Sequence, residues 1–182
     1  MKLYIPNIKT KYLLIFDIEY DGSSLVQLAF LILYKLEPDI FVLSQSVNVY
    51  IRQSQRLNNF FTKYTNITDD FLREEGLDLP VAKTLVADRL LHIDANNCTV
   101  VSHGIKNDLE ILIDNGIDFY CKDQYCTYEA AKKLLNRSSN LTLKEVASEG
   151  GYFMFNEHNA YADVWGTLHA FCYLKEIEDE IN

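Results

Sequence analysis

Four carboxylates and one histidine in this 182-residue chain have the types and spacing of a metal-dependent hydrolytic site. Asp17 and Glu19 stand two residues apart, Asp108 lies midway along the chain, and His158 precedes Asp163 by five residues. Carboxylates that are held close together repel one another unless a cation neutralises them, and hard divalent cations prefer oxygen ligands. The pattern predicts a site that binds divalent metal ions and hydrolyses a phosphate ester.

The first two carboxylates end an apolar segment. The run Tyr12-Leu13-Leu14-Ile15-Phe16 directly precedes Asp17 and is typical of a buried strand. Because residues two apart on a strand face the same side, Asp17 and Glu19 are expected to point at one spot. An unpaired charge next to a buried strand is costly, so this position indicates a functional role.

The expected chemistry uses two divalent ions about 3.5–4 Å apart, one activating the attacking water and the other stabilising the leaving 3′ oxygen. Two Mg²⁺ ions are the expected cofactors, with Mn²⁺ as a substitute. Asp17, at the centre of the predicted sheet, is the candidate ligand shared by both ions. The other candidate ligands are Glu19, Asp108 and Asp163. His158 is the candidate general base.

Three extended segments come first and predict an antiparallel meander. They comprise residues 12–19, 25–36 and 41–51, and short turns at 21–24 and 37–39 connect them. The carboxylates Asp17 and Glu19 end the first of these strands.

The rest of the chain alternates helices with short strands. Thr68 can cap a helix that stops near Gly76, and Pro80 opens a longer one. Further strands are expected at 99–102 and about 119–125, with helices at 105–115 and 127–135, a capping box at 142–145, and a last helix from about 160 to 181. This order predicts an α/β fold with a mixed five-stranded sheet, three antiparallel strands and then parallel ones, flanked by helices on both faces. No linker or repeat divides it, so 1–182 is expected to be a single domain.

The charge balance limits how this chain can hold a polynucleotide. With 17 basic and 26 acidic residues, its net charge of −9 argues against a protein that grips long nucleic acid mainly by releasing counterions. A nuclease that holds only a chain end remains compatible with it. The four cysteines form no CxxC pair, and no signal peptide or membrane span is recognised, so a cytoplasmic location is expected.

These residues resemble the motifs of the DEDDh 3′-to-5′ exonuclease family, and the resemblance covers nearly the whole chain. Three motifs match in the right order. The first is Asp-x-Glu followed by Gly, the second a histidine-containing turn before Asp, and the third His-x-Ala-x-x-Asp. Their counterparts are Asp17, Glu19 and Gly22, then His103 and Asp108, then His158, Ala160 and Asp163. Residues 65–69 also look like a Thr-Gly-Ile-Thr-Asp stretch of the family.

The resemblance implies an RNase H-like fold and removal of nucleoside 5′-monophosphates, one at a time, from the 3′ ends of single-stranded DNA or RNA. It implies substrate contacts at Tyr20, Gly22 and His103. Tyr20 and Asp21 stand where the family usually has two threonines, the first of which contacts the terminal nucleotide. Some family members serve a polymerase and others form homodimers, so a polymerase or a second copy of this chain is a possible partner. No membrane partner is expected.

Two other functions remain open at this point. One is a binding module for nucleic-acid ends that keeps the fold without catalysis, and an intact set of five residues argues against it. The other is a metal phosphohydrolase of small nucleotides, which the acidic surface mildly favours. Tyr20, Phe155 and Tyr161 are candidates for stacking on a terminal base, with core packing as the alternative for each.

Overall fold

The computed structural model describes residues 1–137 and 141–181. Within these ranges the strands are β1 Lys2–Tyr4, β2 Tyr12–Asp21, β3 Ser24–Glu37, β4 Ile40–Tyr50, β5 Cys98–Ser102 and β6 Asp123–Cys126. The α-helices are α1 Asn59–Thr65, α2 Asp69–Glu75, α3 Leu79–Leu90, α4 Ile105–Asp114, α5 Thr127–Leu134, α6 Leu143–Glu149 and α7 Ala160–Ile181. None of these helices is long and apolar enough to cross a membrane.

The strands form one mixed sheet in the order β1-β4-β3-β2-β5-β6. The pairs among β1, β4, β3 and β2 are antiparallel, whereas β5 and β6 join in parallel. This arrangement confirms the predicted mixed α/β sheet, but the prediction of five strands was wrong because it missed β1. Only three residues long, β1 shows no alternation in sequence and exists through its pairing with the first residues of β4.

The central strand β2 sends alternate side chains to opposite faces of the sheet. Leu14 and Phe16 belong to a core cluster on one face that contains residues of α3 and α4. Leu13 and Ile15 belong to a second cluster, in which the sheet packs against α7. Helices therefore cover both faces, as predicted. Odd-numbered residues of β2 share the face that α7 covers.

Most predicted helix signals are confirmed, one helix was missed, and the start of one predicted strand is corrected. Thr68 caps α2 through its side chain, and Thr142 with Glu145 forms the capping box of α6. Helix α1 was not predicted, because its seven residues are too few to show a helical period. The predicted strand at 119–125 begins only at Asp123, because Phe119 instead packs edge-to-face on Phe16 in the core, with ring centroids 5.1 Å apart.

Candidate metal centre

Three of the four predicted metal ligands come together at the junction of β2 and α7. Asp17, Glu19 and Asp163 each offer a carboxylate oxygen, and these oxygens lie within 4.8 Å of one another. Asp17 and Glu19 occupy odd positions of β2, on the face covered by α7, and Asp163 lies in the first turn of α7. The two-residue spacing and the packing of α7 on the sheet together create this cluster.

Asp163 presents the strongest sign that the cluster is suited to a cation. Its side chain is buried, and its Oδ2 accepts a hydrogen bond from the backbone N–H of His158 at 3.0 Å. Its Oδ1 is also buried but has no hydrogen-bond partner among the described residues. A buried acceptor without a partner is costly, and a bound cation would satisfy it. A donor set made only of carboxylate oxygens fits hard divalent ions such as Mg²⁺ and Mn²⁺.

Gln27, to which the sequence analysis assigned no role, holds the start of α7 against the sheet. It is fully buried on β3, where it pairs in register with Glu19. Its Oε1 accepts a hydrogen bond from the N–H of Ala160 at 3.1 Å. Its Nε2 donates to the side chains of Asn48 at 2.9 Å and Asn159 at 3.4 Å. In the sequence, the signal for this role is a single amide side chain within an otherwise apolar stretch of β3.

Asp108, the fourth predicted ligand, lies in the first turn of α4 and outside the three-carboxylate set. Its carboxylate accepts a hydrogen bond from the hydroxyl of Ser102, a buried residue that ends β5. Its charge nevertheless raises the pKa of both Asp17 and Glu19. The negative charge of Asp108 therefore acts on the carboxylates of the cluster, although Asp108 lies outside it. Its role as a metal ligand stays a prediction. Ser102 is a second residue that the sequence analysis left without a role.

The four carboxylates all hold their protons more tightly than usual. Burial, followed by the charges of Asp163, Asp108 and Glu19, raises the pKa of Asp17 well above its ordinary range. Burial and the charges of Asp163 and Asp108 raise the pKa of Glu19 to about 8. Burial also raises the pKa of Asp163 to about 7 and that of Asp108 to about 6, although hydrogen bonds to each carboxylate oppose the shift. Mutual repulsion and desolvation of this kind are what a divalent cation relieves.

His158 lies in the loop that precedes α7 and has a left-handed backbone, with φ of 63°. Its ring stacks on Tyr64, with centroids 3.6 Å apart and planes inclined by 27°. Burial lowers its pKa, while the charge of Glu157 opposes this shift. Burial therefore favours the neutral imidazole, which is the state a proton acceptor needs. Its role as general base stays a prediction.

The three residues predicted to contact substrate, Tyr20, Gly22 and His103, lie in different surroundings. Tyr20 is exposed and directly follows a bulge in the pairing of β2 with β3. Gly22 forms the turn after β2 with φ of 65°, a conformation that glycine adopts without strain.

His103 makes protein contacts through both ring nitrogens. Nδ1 lies 2.9 Å from the hydroxyl of Thr127, and Nε2 donates to the carbonyl of Leu141 at 3.2 Å. These contacts join the end of β5 to the starts of α5 and α6. Contacts of Tyr20, Gly22 and His103 with a substrate stay predictions.

Comparison by sequence finds no matching family model, and no curated protein matches the chain. Comparison by structure finds proteins with the same fold. A 3′-exonuclease described for 3′-end-specific recognition of a histone mRNA stem-loop has a TM-score of 0.69 and 14% identity, over 95% of this chain and 84% of that protein. The nuclease domain of 3′hExo, a DEDDh family member bound to rAMP, gives 0.69 and 15%, over 93% of each chain.

E. coli exonuclease I in complex with a dA16 oligonucleotide has a TM-score of 0.72 and 14% identity. The match covers 94% of this chain but only 42% of exonuclease I, so this chain spans less than half of that enzyme. Identities this low establish a shared fold. The predicted structural resemblance to DEDDh exonucleases is confirmed at that level.

Proposed function

We propose that this protein is a metal-dependent 3′-to-5′ exonuclease that releases nucleoside 5′-monophosphates from the 3′ ends of single-stranded DNA or RNA. The main support is the cluster of Asp17, Glu19 and Asp163, whose oxygens lie within 4.8 Å and include a buried oxygen without a partner. The same cluster sits on a fold shared with 3′-exonucleases. Two Mg²⁺ ions, replaceable by Mn²⁺, are the proposed cofactors.

When bound, two divalent ions supply activation of the attacking water and stabilisation of the leaving oxygen. The residues of the chain bind and orient the reacting groups. Asp17, Glu19 and Asp163, with Asp108 as the fourth ligand, would hold the ions. His158 accepts a proton from the attacking water at an imidazole nitrogen, and Tyr64 holds that ring through the stacking contact.

The ligands of the structural neighbours agree with this substrate class. The nuclease domain of 3′hExo was solved with rAMP, and E. coli exonuclease I with the oligonucleotides dA16 and dT13. E. coli exonuclease I has also been crystallised with single-stranded DNA and bound zinc. By analogy, we propose that this chain takes a single-stranded 3′ end as substrate and a divalent cation as cofactor. The reducing cytoplasm is the proposed setting, in keeping with four free cysteines.

The decisive experiment follows 5′-labelled single-stranded DNA and RNA oligonucleotides through time, with a duplex for comparison. With Mg²⁺ or Mn²⁺, a ladder of products shortened one nucleotide at a time is expected, together with free nucleoside 5′-monophosphates. A 3′-phosphate should block the reaction, and a chelator should stop it. Internal cleavage, or activity that persists in excess chelator, would contradict the proposal.

The same assay separates the other two functions. Binding of the oligonucleotide without any product, in every metal tested, would indicate a silent module for nucleic-acid ends. Hydrolysis of small nucleotides while oligonucleotides remain intact would indicate a phosphohydrolase of free nucleotides.

A further inference from the structure

Two of the four cysteines hold their thiols in contact with each other. Cys98 begins β5, and Cys121 lies two residues before β6, the strand that pairs with β5 in parallel. Both side chains belong to the core cluster that contains Leu14 and Phe16. A hydrogen bond joins the two sulfur atoms. Cys98 is fully buried, whereas Cys121 is partly exposed, so one sulfur of the pair is open to a small reagent from solvent.

The segment that carries Cys121 has an irregular backbone. Residues 117–122 lie between α4 and β6 and belong to neither element. Within it, Tyr120 has a positive φ of 44°, which is unusual for a large aromatic residue. The thiol of Cys121 donates to the carbonyl of Phe119 at 3.1 Å. Because Cys121 lies outside the strands, its sulfur can approach that of Cys98 without disturbing the pairing of β5 with β6.

The two thiols of the pair differ in acidity, and packing alone does not give that difference a purpose. A cysteine that only fills a core is inert, as at Cys172, where burial raises the pKa to about 12. In the pair, the hydrogen bond from Cys98 lowers the pKa of Cys121, although burial and the charge of Asp118 oppose this shift. The same hydrogen bond, together with burial, raises the pKa of Cys98. The more exposed sulfur therefore ionises first, and a protonated thiol lies beside it.

We propose that Cys98 and Cys121 form an oxidation site, at which hydrogen peroxide converts the two thiols reversibly into a disulfide. The thiolate of Cys121 attacks one peroxide oxygen, the O–O bond breaks, and the departing hydroxide takes up the proton that Cys121 had released. Cys121 is then a sulfenic acid. The sulfur of Cys98 attacks the sulfenic sulfur, the S–S bond forms, and the hydroxyl group leaves as water with the proton of Cys98. Two thiols are oxidised by two electrons, and one peroxide is reduced to two waters.

The disulfide would join the two ends of a segment that reaches the candidate metal centre. Residues 98–121 comprise β5, α4 and most of the loop after it, and they include Ser102 and Asp108, which bond to each other. Phe119, in the same segment, packs on Phe16 of β2, the strand that carries two of the proposed ligands. Reversible disulfides in a reducing compartment are typically redox-sensing or catalytic. Oxidation of this pair would therefore report an oxidant to the part of the fold that positions Asp108.

The test treats the reduced protein with a small excess of hydrogen peroxide in a chelator, which prevents metal-catalysed oxidation. Remaining thiols are then alkylated in denaturant, and tryptic peptides are analysed by mass spectrometry. Cleavage after lysine and arginine places each of the four cysteines in a different peptide. The expected product links the peptides of Cys98 and Cys121, with a mass about 2 Da below that of the two reduced peptides together. Cys126 and Cys172 should remain alkylated, and dithiothreitol should restore both thiols of the pair.

The variants separate the two steps. Cys98→Ser keeps a hydrogen-bond donor beside Cys121 and should stop the reaction at the sulfenic acid, which dimedone traps, whereas Cys121→Ser should leave Cys98 reduced. Cys126→Ser is the matched control, because Cys126 is also partly exposed but its thiol donates to the carbonyl of His103. It should form the disulfide as wild type does. In the reduced wild-type protein, iodoacetamide should modify Cys121 at least about 10-fold faster than Cys172.

The outcomes do not depend on nuclease activity, so this inference and the proposed function can fail separately. If peroxide leaves Cys98 and Cys121 open to alkylation, or links Cys121 to Cys126 instead, the proposed site does not exist. Oxidation of Cys172 as fast as that of Cys121 would also overturn it, because the reaction would then be unselective. If Cys98→Ser does not fold, the products of the wild-type protein and the rates of its alkylation decide the question alone.

Discussion

Gln27 on β3 accepts a hydrogen bond from the N–H of Ala160, the first residue of α7, at 3.1 Å. The first amides of a helix have no partner within the helix, so this contact satisfies one of them with a side chain from the sheet. It also sets the position of Asp163, three residues further along α7, relative to Asp17 and Glu19. A fully buried amide on one strand thereby aligns two separate parts of the candidate metal centre.

Replacement of this amide should destabilise the fold and the site together. Gln27→Leu has a similar volume but leaves the amide of Ala160 without its side-chain partner and removes the hydrogen bonds to Asn48 and Asn159. We expect the free energy of unfolding to fall by about 1–3 kcal/mol in urea titrations, with a weaker affinity for Mg²⁺. Gln55→Leu, at an exposed position, should change stability by no more than about 0.5 kcal/mol. Equal losses of unfolding free energy in the two variants would show that Gln27 has no special role.

Asp17→Asn should separate activity from stability. The substitution removes the proposed shared ligand, so turnover of oligonucleotides should be abolished. It also removes a buried carboxyl whose ionisation three neighbouring carboxylates oppose, so the metal-free protein should gain stability relative to the wild type as pH rises. Thermal unfolding in a chelator measures this gain. Asp88→Asn, at an exposed site, is the control and should alter neither property. Activity at the wild-type level in Asp17→Asn would exclude Asp17 from the site.

The stability of the metal-free protein should fall as pH rises. The pKa values of Asp108, Asp163 and Glu19 are raised in the folded protein to about 6, 7 and 8. Because folding raises these values, the protonated carboxyls contribute stability that is fully present below the unfolded values of about 4. That stability is lost as pH rises through the folded values, up to about pH 8.

Urea midpoints measured between pH 4 and pH 9, with chelator and with saturating Mg²⁺, test this dependence. Saturating Mg²⁺ should remove most of the decline, because the cation replaces the protons. A flat profile in the chelator would mean that the carboxylates do not repel one another as the structure indicates.

His158→Asn should reduce turnover without removing the ions. Asparagine tolerates the left-handed backbone of this position, so the loop and its amide bond to Asp163 are retained. We expect kcat to fall about 10²- to 10⁴-fold, as for a lost proton acceptor. Titration calorimetry should give a nearly unchanged affinity for Mn²⁺. A large loss of metal affinity would instead make His158 a ligand.

Ser102→Ala should make metal binding more sensitive to acid. The hydroxyl of Ser102 donates to Asp108 and opposes the rise of its pKa. Without this hydrogen bond the pKa of Asp108 should rise above about 6, so the carboxylate that we propose as the fourth ligand is protonated at a higher pH. Mg²⁺ affinity should therefore decrease more at pH 6 than at pH 8. An equal decrease at both values would show that Ser102 acts through packing alone.

Patterns local in sequence were enough to predict much of this arrangement. The alternation of β2 predicted that Asp17 and Glu19 share a face, and the helical pattern near residue 160 placed Asp163 at a helix start. Contacts between distant parts of the chain could not be predicted in this way. The hydrogen bonds of Gln27 and Ser102, like the stack of Tyr64 on His158, depend on how elements pack and have no periodic signature.

The candidate metal centre joins residues that lie 144 to 146 positions apart in the sequence, and this has a consequence for the order of its assembly. The ribosome synthesises β2 before α7, and β3 to α6 are made between them, so Asp163 and the loop of His158 emerge long after Asp17 and Glu19. Until α7 packs on the sheet, the nascent polypeptide has two carboxylates without the third. Under the proposed function, nuclease activity is withheld until α7 has been made and has packed on the sheet, so a shorter nascent chain lacks a complete site.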